Sequence, residues 1–304
     1  MKRRWFHLPA CLVGALALGW TANPSLAQNG MPDHPLITVE GKAYTPLSIV
    51  TRNMGTKAEQ EVQFPPHKVI GNIYYVGTQT LSSFLVVTPA GNILIDTTYE
   101  RNVDTIKKSV EQLGFKFSDT KYILGNHAHG DHMEGDFKAK ELSGARVVVM
   151  AEDVPMLQAM KPGGKEHPID RVIHDGDTVM LGDVTLTAHL TGGHSHGATT
   201  WTMQAKEGGK TYNVVFFSSL RSPAVLTPPV IEEFNHSFAA VRPLPCDVPL
   251  GDHPSEYRML EKYPKIKKGV PNPYIDVAGC KLEAEIEEAM FHAILKEQEQ
   301  KTSQ

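Results

Sequence analysis

Four potential metal ligands stand within six residues, His127-Ala128-His129-Gly130-Asp131-His132, directly after the apolar run Tyr122-Ile123-Leu124. A short run of β-forming residues reads as a buried strand, so these ligands emerge at a strand end. Neutral imidazole and carboxylate are ligands that Zn²⁺ accepts at catalytic sites. The alternation of His127 and His129 directs both rings to one side of a turning chain. Asp131 and His132 then lie close enough to reach a second metal, and Gly130 is expected to supply a tight backbone. A lone histidine is ordinarily a surface residue, but four ligands behind one strand are a metal motif.

Six residues cannot complete two zinc shells, so further ligands must come from other strand ends. His194 lies in the Gly-rich segment Thr191-Gly192-Gly193-His194-Ser195-His196-Gly197, after a strand. His196, two residues on, competes for the same role. His253 lies in Pro249-Leu250-Gly251-Asp252-His253-Pro254, again after an apolar run. His34, His67, His167, His174, His189, His236 and His292 have no such context and read as solvated or core-satisfied.

The N-terminus carries an export pattern. Lys2, Arg3 and Arg4 precede a charge-free, mostly apolar stretch from Pro9 to Trp20, and Ser25-Leu26-Ala27 offers the small residues a signal peptidase reads. Residues 1–27 are therefore expected to be a cleaved signal peptide, too short in its apolar part for a comfortable membrane span. Residues 28–304 are expected to form one catalytic domain with an N-terminal arm. Without 1–27 the chain keeps 27 basic against 34 acidic side chains. A net charge of about −7 in an exported protein argues against nucleic-acid binding. Only Cys246 and Cys280 of the three cysteines then remain. An even pair in an oxidising compartment favours one disulfide over two buried thiols.

Residues 28–66 show little periodicity and read as an arm on the surface. Residues 73–76, 84–87 and 93–95 read as strands of an antiparallel meander. Val103, Ile106, Val110 and Leu113 form one helical stripe ended by Gly114. Residues 133–142 read as helix. Residues 147–150, 184–190, 199–203 and 214–217 read as strands, and a long helix closes the chain. Two such halves predict an α/β fold, a four-layer α/β/β/α sandwich of two sheets packed face to face.

His127-Ala128-His129-Gly130-Asp131-His132 resembles the His-x-His-x-Asp-His signature of the metallo-β-lactamase superfamily. Gly193-His194-Ser195-His196-Gly197 and His253-Pro254 resemble its later motifs. The flanking runs narrow the similarity to the B-three subclass: residues 71–78 (Gly-Asn-Ile-Tyr-Tyr-Val-Gly-Thr), Leu81-Ser82-Ser83, residues 237–248 and residues 271–276. The resemblance extends over about residues 64–298. It implies two Zn²⁺ per chain, one held by His127, His129 and His194, the other by Asp131, His132 and His253. It also implies a disulfide between Cys246 and Cys280.

There are departures. Gly192 and Asn126 stand where Pro and Ser are usual. Ser218-Ser219 occupies the strand end where several hydrolases of the superfamily carry an Asp bridging both metals, which favours the lactamase branch over glyoxalase-like ones. Ser219 matches a serine near the substrate carboxylate, and Arg221 either contacts that carboxylate or faces water. The implied reaction is opening of a β-lactam amide by a metal-bound hydroxide, with Asp131 orienting it, in the periplasm and to the effect of antibiotic resistance. The implied partner is a small-molecule β-lactam, with no nucleic acid, no stable membrane anchor and no required oligomer. A lactonase or phosphodiesterase on the same scaffold, a nuclease and a non-catalytic zinc protein are the rivals.

Overall fold

The central strands read as unbroken apolar runs because their side chains point alternately into two different cores. The computed structural model describes residues 30–303, so the expected signal segment 1–27 lies outside the described residues. A small hairpin, β1 (Ile37–Val39) and β2 (Lys42–Tyr44), precedes helices α1 (Pro46–Met54) and α2 (Lys57–Glu61). One sheet follows, with seven strands in chain order: β3 (His67–Ile70), β4 (Ile73–Tyr75), β5 (Phe84–Thr88), β6 (Gly91–Ile95), β7 (Thr120–Leu124), β8 (Arg146–Met150) and β9 (Arg171–Ile173). Between its later strands run α3 (Val103–Gln112), α4 (Gly130–Met133), α5 (Asp136–Ser143) and α6 (Val154–Ala159). The second sheet has five strands: β10 (Thr178–Leu181), β11 (Val184–Leu190), β12 (Thr199–Glu207), β13 (Lys210–Phe217) and β14 (Val248–Gly251). The last helices are α7 (Pro228–Val241), α8 (Met259–Lys267) and α9 (Gly279–Thr302).

β3 to β6 pair antiparallel through short turns, whereas β6 to β9 pair parallel and need crossovers, which the intervening helices supply. Phe84, Val86, Ile93, Ile95, Leu124 and Val148 face the second sheet and pack with its Leu186, Trp201, Met203, Val214 and Phe216. Their neighbours Leu85, Leu94, Ile123, Val147 and Val149 face the other way, onto Val103, Ile106 and Val110 of α3 and Leu157 of α6. The second sheet repeats the device: Val215 and Phe217 turn outward to Phe234 and Phe238 of α7 and Phe291 of α9. Each such side chain contributes about 1.5–3 kcal/mol by leaving water. The result is the expected four-layer sandwich, the metallo-β-lactamase fold.

One reading needs correction, and one helix had no signal in the sequence. Residues 28–66 are not merely a surface arm, because α1 buries Ile49 and Val50 and places Ile49 in the outer core beside Phe234. A nine-residue helix carries too few apolar positions to register as periodic. The sequence also hid α7, which begins with Pro228 and Pro229. Proline is tolerated in a first helical turn but looks like a loop in sequence.

Cys246 and Cys280 form a disulfide with Cα atoms 6.0 Å apart, linking the approach to β14 with the first turn of α9. It closes a separation of 34 residues, a link worth about 3–4 kcal/mol in chain-entropy terms. Among the described residues no helix is long and apolar enough to cross a membrane.

His67 shows what burial does to a histidine away from the strand-end cluster. Its Nδ1 donates to the Pro65 carbonyl at 2.8 Å, and its Nε2 lies 2.6 Å from the Tyr274 hydroxyl. Burial pushes its pKa down to about 4. Below pH ~6.5 the unfolded chain takes up a proton that the folded chain refuses, so stability rises with pH in this window. The contribution, roughly 3 kcal/mol, is fully present above pH ~6.5 and is lost as pH falls toward 4. Urea unfolding of His67→Gln between pH 7 and 4 should therefore lose about 2 kcal/mol less stability than the parent; equal losses would contradict this assignment.

Candidate metal centre

The carboxyl ends of strands are where open sheets leave space for a ligand. β6, β7 and β8 run parallel, and β11, β13 and β14 share one direction in the other sheet. Asp96 follows β6, the 125–132 loop follows β7, and Asp153 ends the turn after β8. His194 follows β11, Ser218 to Arg221 follow β13, and Asp252 and His253 follow β14. Side chains far apart in sequence therefore meet at one edge.

The loop after β7 is pinned before it reaches its ligands. Trp201 Nε1 donates to the Gly125 carbonyl at 3.1 Å, Thr199 N to the Asn126 carbonyl at 2.7 Å, and Asn126 N to Asp96 Oδ1 at 2.8 Å. His127, His129 and His194 then converge, with ligand atoms within 4.8 Å of one another. Their three rings are mutually near-perpendicular, with centroids 4.7–4.8 Å apart. The ligand atoms of Asp131, His132 and His253 likewise lie within 4.8 Å of one another, as do those of a third group, His127, His132 and Asp252, that shares members with both. Exposed His196 pairs instead with Glu233 at 2.7 Å, which removes it from competition with His194. Gly130 has no positive φ. It opens α4, where a Cβ would lie 3.2 Å from Glu134 Oε2.

Each of four rings has one nitrogen occupied on the protein side. His127 Nδ1 lies 3.2 Å from Asp252 Oδ2 and His132 Nδ1 3.2 Å from Asp96 Oδ2. His194 Nδ1 is 2.9 Å from the Arg221 carbonyl and His253 Nδ1 3.0 Å from the Thr80 carbonyl. Nδ1–H donating to such acceptors leaves the Nε2 lone pair free, the tautomer a metal ligand needs. His127 Nε2 and His132 Nε2 are buried and have no hydrogen-bond partner. Orphaned buried nitrogens beside a carboxylate are what a divalent metal would satisfy, so the residues present fit zinc.

The electrostatics agree in most places. Burial pushes His127 down to about 3, helped by the adjacent His132. Burial also lowers His129, His194 and His253, and the Arg221 charge adds to the effect on His194. These rings are neutral at pH 7 and can ligate without losing a proton. His132 goes the other way: burial opposes its charge, but Asp131 and Asp252 hold its pKa well above the usual histidine value. Carboxylates that favour a proton at this ring favour a metal cation in its place. Burial pushes Asp96 up to about 6, against the hydrogen bond from His132.

Ser218 and Ser219 are buried at the end of β13, and the arginine two residues on is half-buried. The end of β13 carries no carboxylate of its own, but the neighbouring strand brings one beside it. The parallel register pairs Phe217 with Gly251, so the next residue of β14, Asp252, arrives beside Ser218 with no exposed surface. Its only signal in sequence is an acid between an apolar run and His253.

Asp153 gave no sequence signal. Its Oδ2 accepts from Ala128 N and Ser195 Oγ, both at 2.8 Å, and its Oδ1 from Gly197 N at 2.7 Å. One buried carboxylate thus joins the His127–His129 loop to the His194 loop. Gly197 has no room for a Cβ against Asp153. Asp96 and Thr98, at φ +59° and +57°, form a strained turn whose Thr97 and Thr98 amides both donate to the His132 carbonyl. A β-branched residue in this conformation costs of order 1–2 kcal/mol.

Histidine-rich groups that could hold metal ions thus meet at one edge of two packed sheets, the arrangement of a metal-dependent hydrolase scaffold. Residues 77–206 match the sequence family described as the Metallo-beta-lactamase superfamily. The native FEZ-1 metallo-beta-lactamase of Legionella gormanii is 40% identical, with a TM-score of 0.75 over 79% of this chain and 98% of that one. BJP-1, a subclass B3 metallo-beta-lactamase of Bradyrhizobium japonicum, is 34% identical, with a TM-score of 0.74 over 80% of this chain and 98% of that one. A hydroxyacylglutathione hydrolase of Methylobacterium nodulans is 30% identical over 89 residues, 29% of this chain and 30% of that protein's length. The chain belongs to the metallo-β-lactamase superfamily, and its similarity to subclass B3 extends through nearly the whole of the B3 enzyme.

The Asp153 clasp can be tested directly. Asp153→Ala strips three buried donors of their acceptor and should cost about 2–4 kcal/mol in chemical denaturation. An unchanged unfolding midpoint would show that the clasp does not hold the loops.

Proposed function

We propose that the chain is an exported zinc-dependent β-lactamase that opens the amide of penicillins, cephalosporins or carbapenems and so confers resistance. The observation that carries this reading is the 40% identity to the Legionella metallo-beta-lactamase over 98% of that chain. His127, His129 and His194 would hold one zinc, and Asp131, His132 and His253 the other. When bound, the metal pair supplies Lewis acidity and lowers the pKa of a coordinated water toward neutrality.

The protein's own groups do the rest. The Nδ1 contacts fix the rings, so the ligand geometry needs no reorganisation on binding. Asp131 offers a carboxylate that orients an attacking water by accepting its proton in a hydrogen bond. Water oxygen adds to the lactam carbonyl carbon, the C–N bond breaks, and the ring nitrogen leaves with a proton. Ser219 and Arg221 are the candidate contacts for the substrate carboxylate, and the Arg221 charge already reaches His129 and His194. A guanidinium meets a carboxylate through two parallel hydrogen bonds.

A second reading, hydrolysis of a hydroxyacyl thioester, is favoured by the short match to hydroxyacylglutathione hydrolase and by the buried Asp252 carboxylate. Purified protein of measured zinc content, assayed on three β-lactam classes, a lactone and a hydroxyacyl thioester, separates the two. The expected result is β-lactam turnover that disappears with chelator and returns with Zn²⁺. Turnover of the thioester or lactone alone, or full activity without zinc, would sink the proposal. Arg221→Gln should raise KM for a β-lactam about tenfold, equivalent to ~1.4 kcal/mol, while leaving kcat nearly unchanged.

A further inference from the structure

Asp252 combines three properties not found together in another carboxylate of the site: complete burial, contact with the candidate ligand His127, and contact with the backbone at Ser219. Its Oδ2 accepts from Ser219 N at 2.8 Å and lies 3.2 Å from His127 Nδ1, while its Oδ1 has no partner.

From this geometry we infer that Asp252 is a positioning residue for the metal centre, joining the His127 ring to the Ser219 turn through one carboxylate oxygen. The inference rests on His127 being a zinc ligand. Two effects follow from the shared oxygen. Accepting from Nδ1–H selects the His127 tautomer whose Nε2 lone pair faces the seam, and the carboxylate charge raises the basicity of that nitrogen. Accepting from Ser219 N fixes the turn that precedes Arg221, so the substrate-facing end of β13 is set by the group that aims the metal ligand. Asp96 meets His132 through Oδ2, and its second tie, from Asn126 N to Oδ1, goes to the loop after β7 and not to the turn after β13. His127, His132 and Asp252 have ligand atoms within 4.8 Å of one another, so a cation held by the two rings would lie beside the Asp252 carboxylate.

The test is zinc affinity by chelator competition, with the electronic spectrum of the Co²⁺-substituted protein as a second readout. In the Asp252→Asn variant one of two zinc ions should bind about 10–100-fold more weakly. The Co²⁺ bands of that site should shift, KM for the substrate should rise, and the melting temperature of chelator-treated protein should stay at the parental value. Asp96→Asn should weaken zinc binding with KM unaffected, which separates loss of a ring partner from loss of the shared link. Parental zinc affinity and an unchanged Co²⁺ spectrum in Asp252→Asn would overturn the inference. So would a fall in melting temperature with affinity intact, since that is the mark of a merely structural residue. If Asp252→Asn does not fold, Asp252→Ser is measured in the same way and judged by the same outcomes. Parental protein that binds no zinc would remove the metal reading itself, a failure distinct from two zinc ions bound equally by parent and variant.

Discussion

Withdrawing histidine rings and carboxylates from water at one edge of the sandwich is the constraint on which the rest of the structure turns. His127, His132 and His253 are buried, His129 and His194 half-buried, and Asp96, Asp153 and Asp252 are buried among them. Polar groups in such a place are unfavourable unless each finds a partner. The protein supplies partners for one side of the rings: Asp252, Asp96 and the carbonyls of Arg221 and Thr80. The other side, marked by the Nε2 atoms of His127 and His132, has no hydrogen-bond partner from the protein and is where a metal ion would fit.

That division of labour explains features that otherwise look unrelated. The strained turn at Asp96 and Thr98 delivers one carboxylate to a ring and two amides to the same residue's carbonyl. The Asp153 clasp ties loops from different sheets, so the first ligand group does not rely on either loop alone. Trp201, wholly buried between the sheets, uses its indole N–H to hold the start of the ligand loop. Rigid packing beneath the site is what lets strand ends position ligands within fractions of an ångström.

The four layers follow from alternation. Phe84 and Leu85, Ile93 and Leu94, and Val147 and Val148 each divide between two cores, which forces cover on both faces of the first sheet. This was legible as apolar runs with turn signals between them. The helix α1 and the proline-headed α7 were not legible, because one is short and the other opens with residues that usually mark loops.

The sequence by itself determined the local chemistry: candidate ligands crowded behind β7, two further histidines behind strands, and a cysteine pair that the fold joins. Those signals are local, since residue type and spacing carry them. Only the tertiary structure decided which groups serve the ligands. Asp96, Asp153 and Asp252 stand 31, 26 and 125 residues from His127 in sequence, and nothing in an isolated aspartate distinguishes a solvated side chain from a buried acceptor. Strand direction and register make that distinction. Parallel pairing of β13 with β14 places Asp252 beside Ser218, and the turn after β8 carries Asp153 between two ligand loops. The carboxylate missing from the end of one strand is thus present at the end of its neighbour.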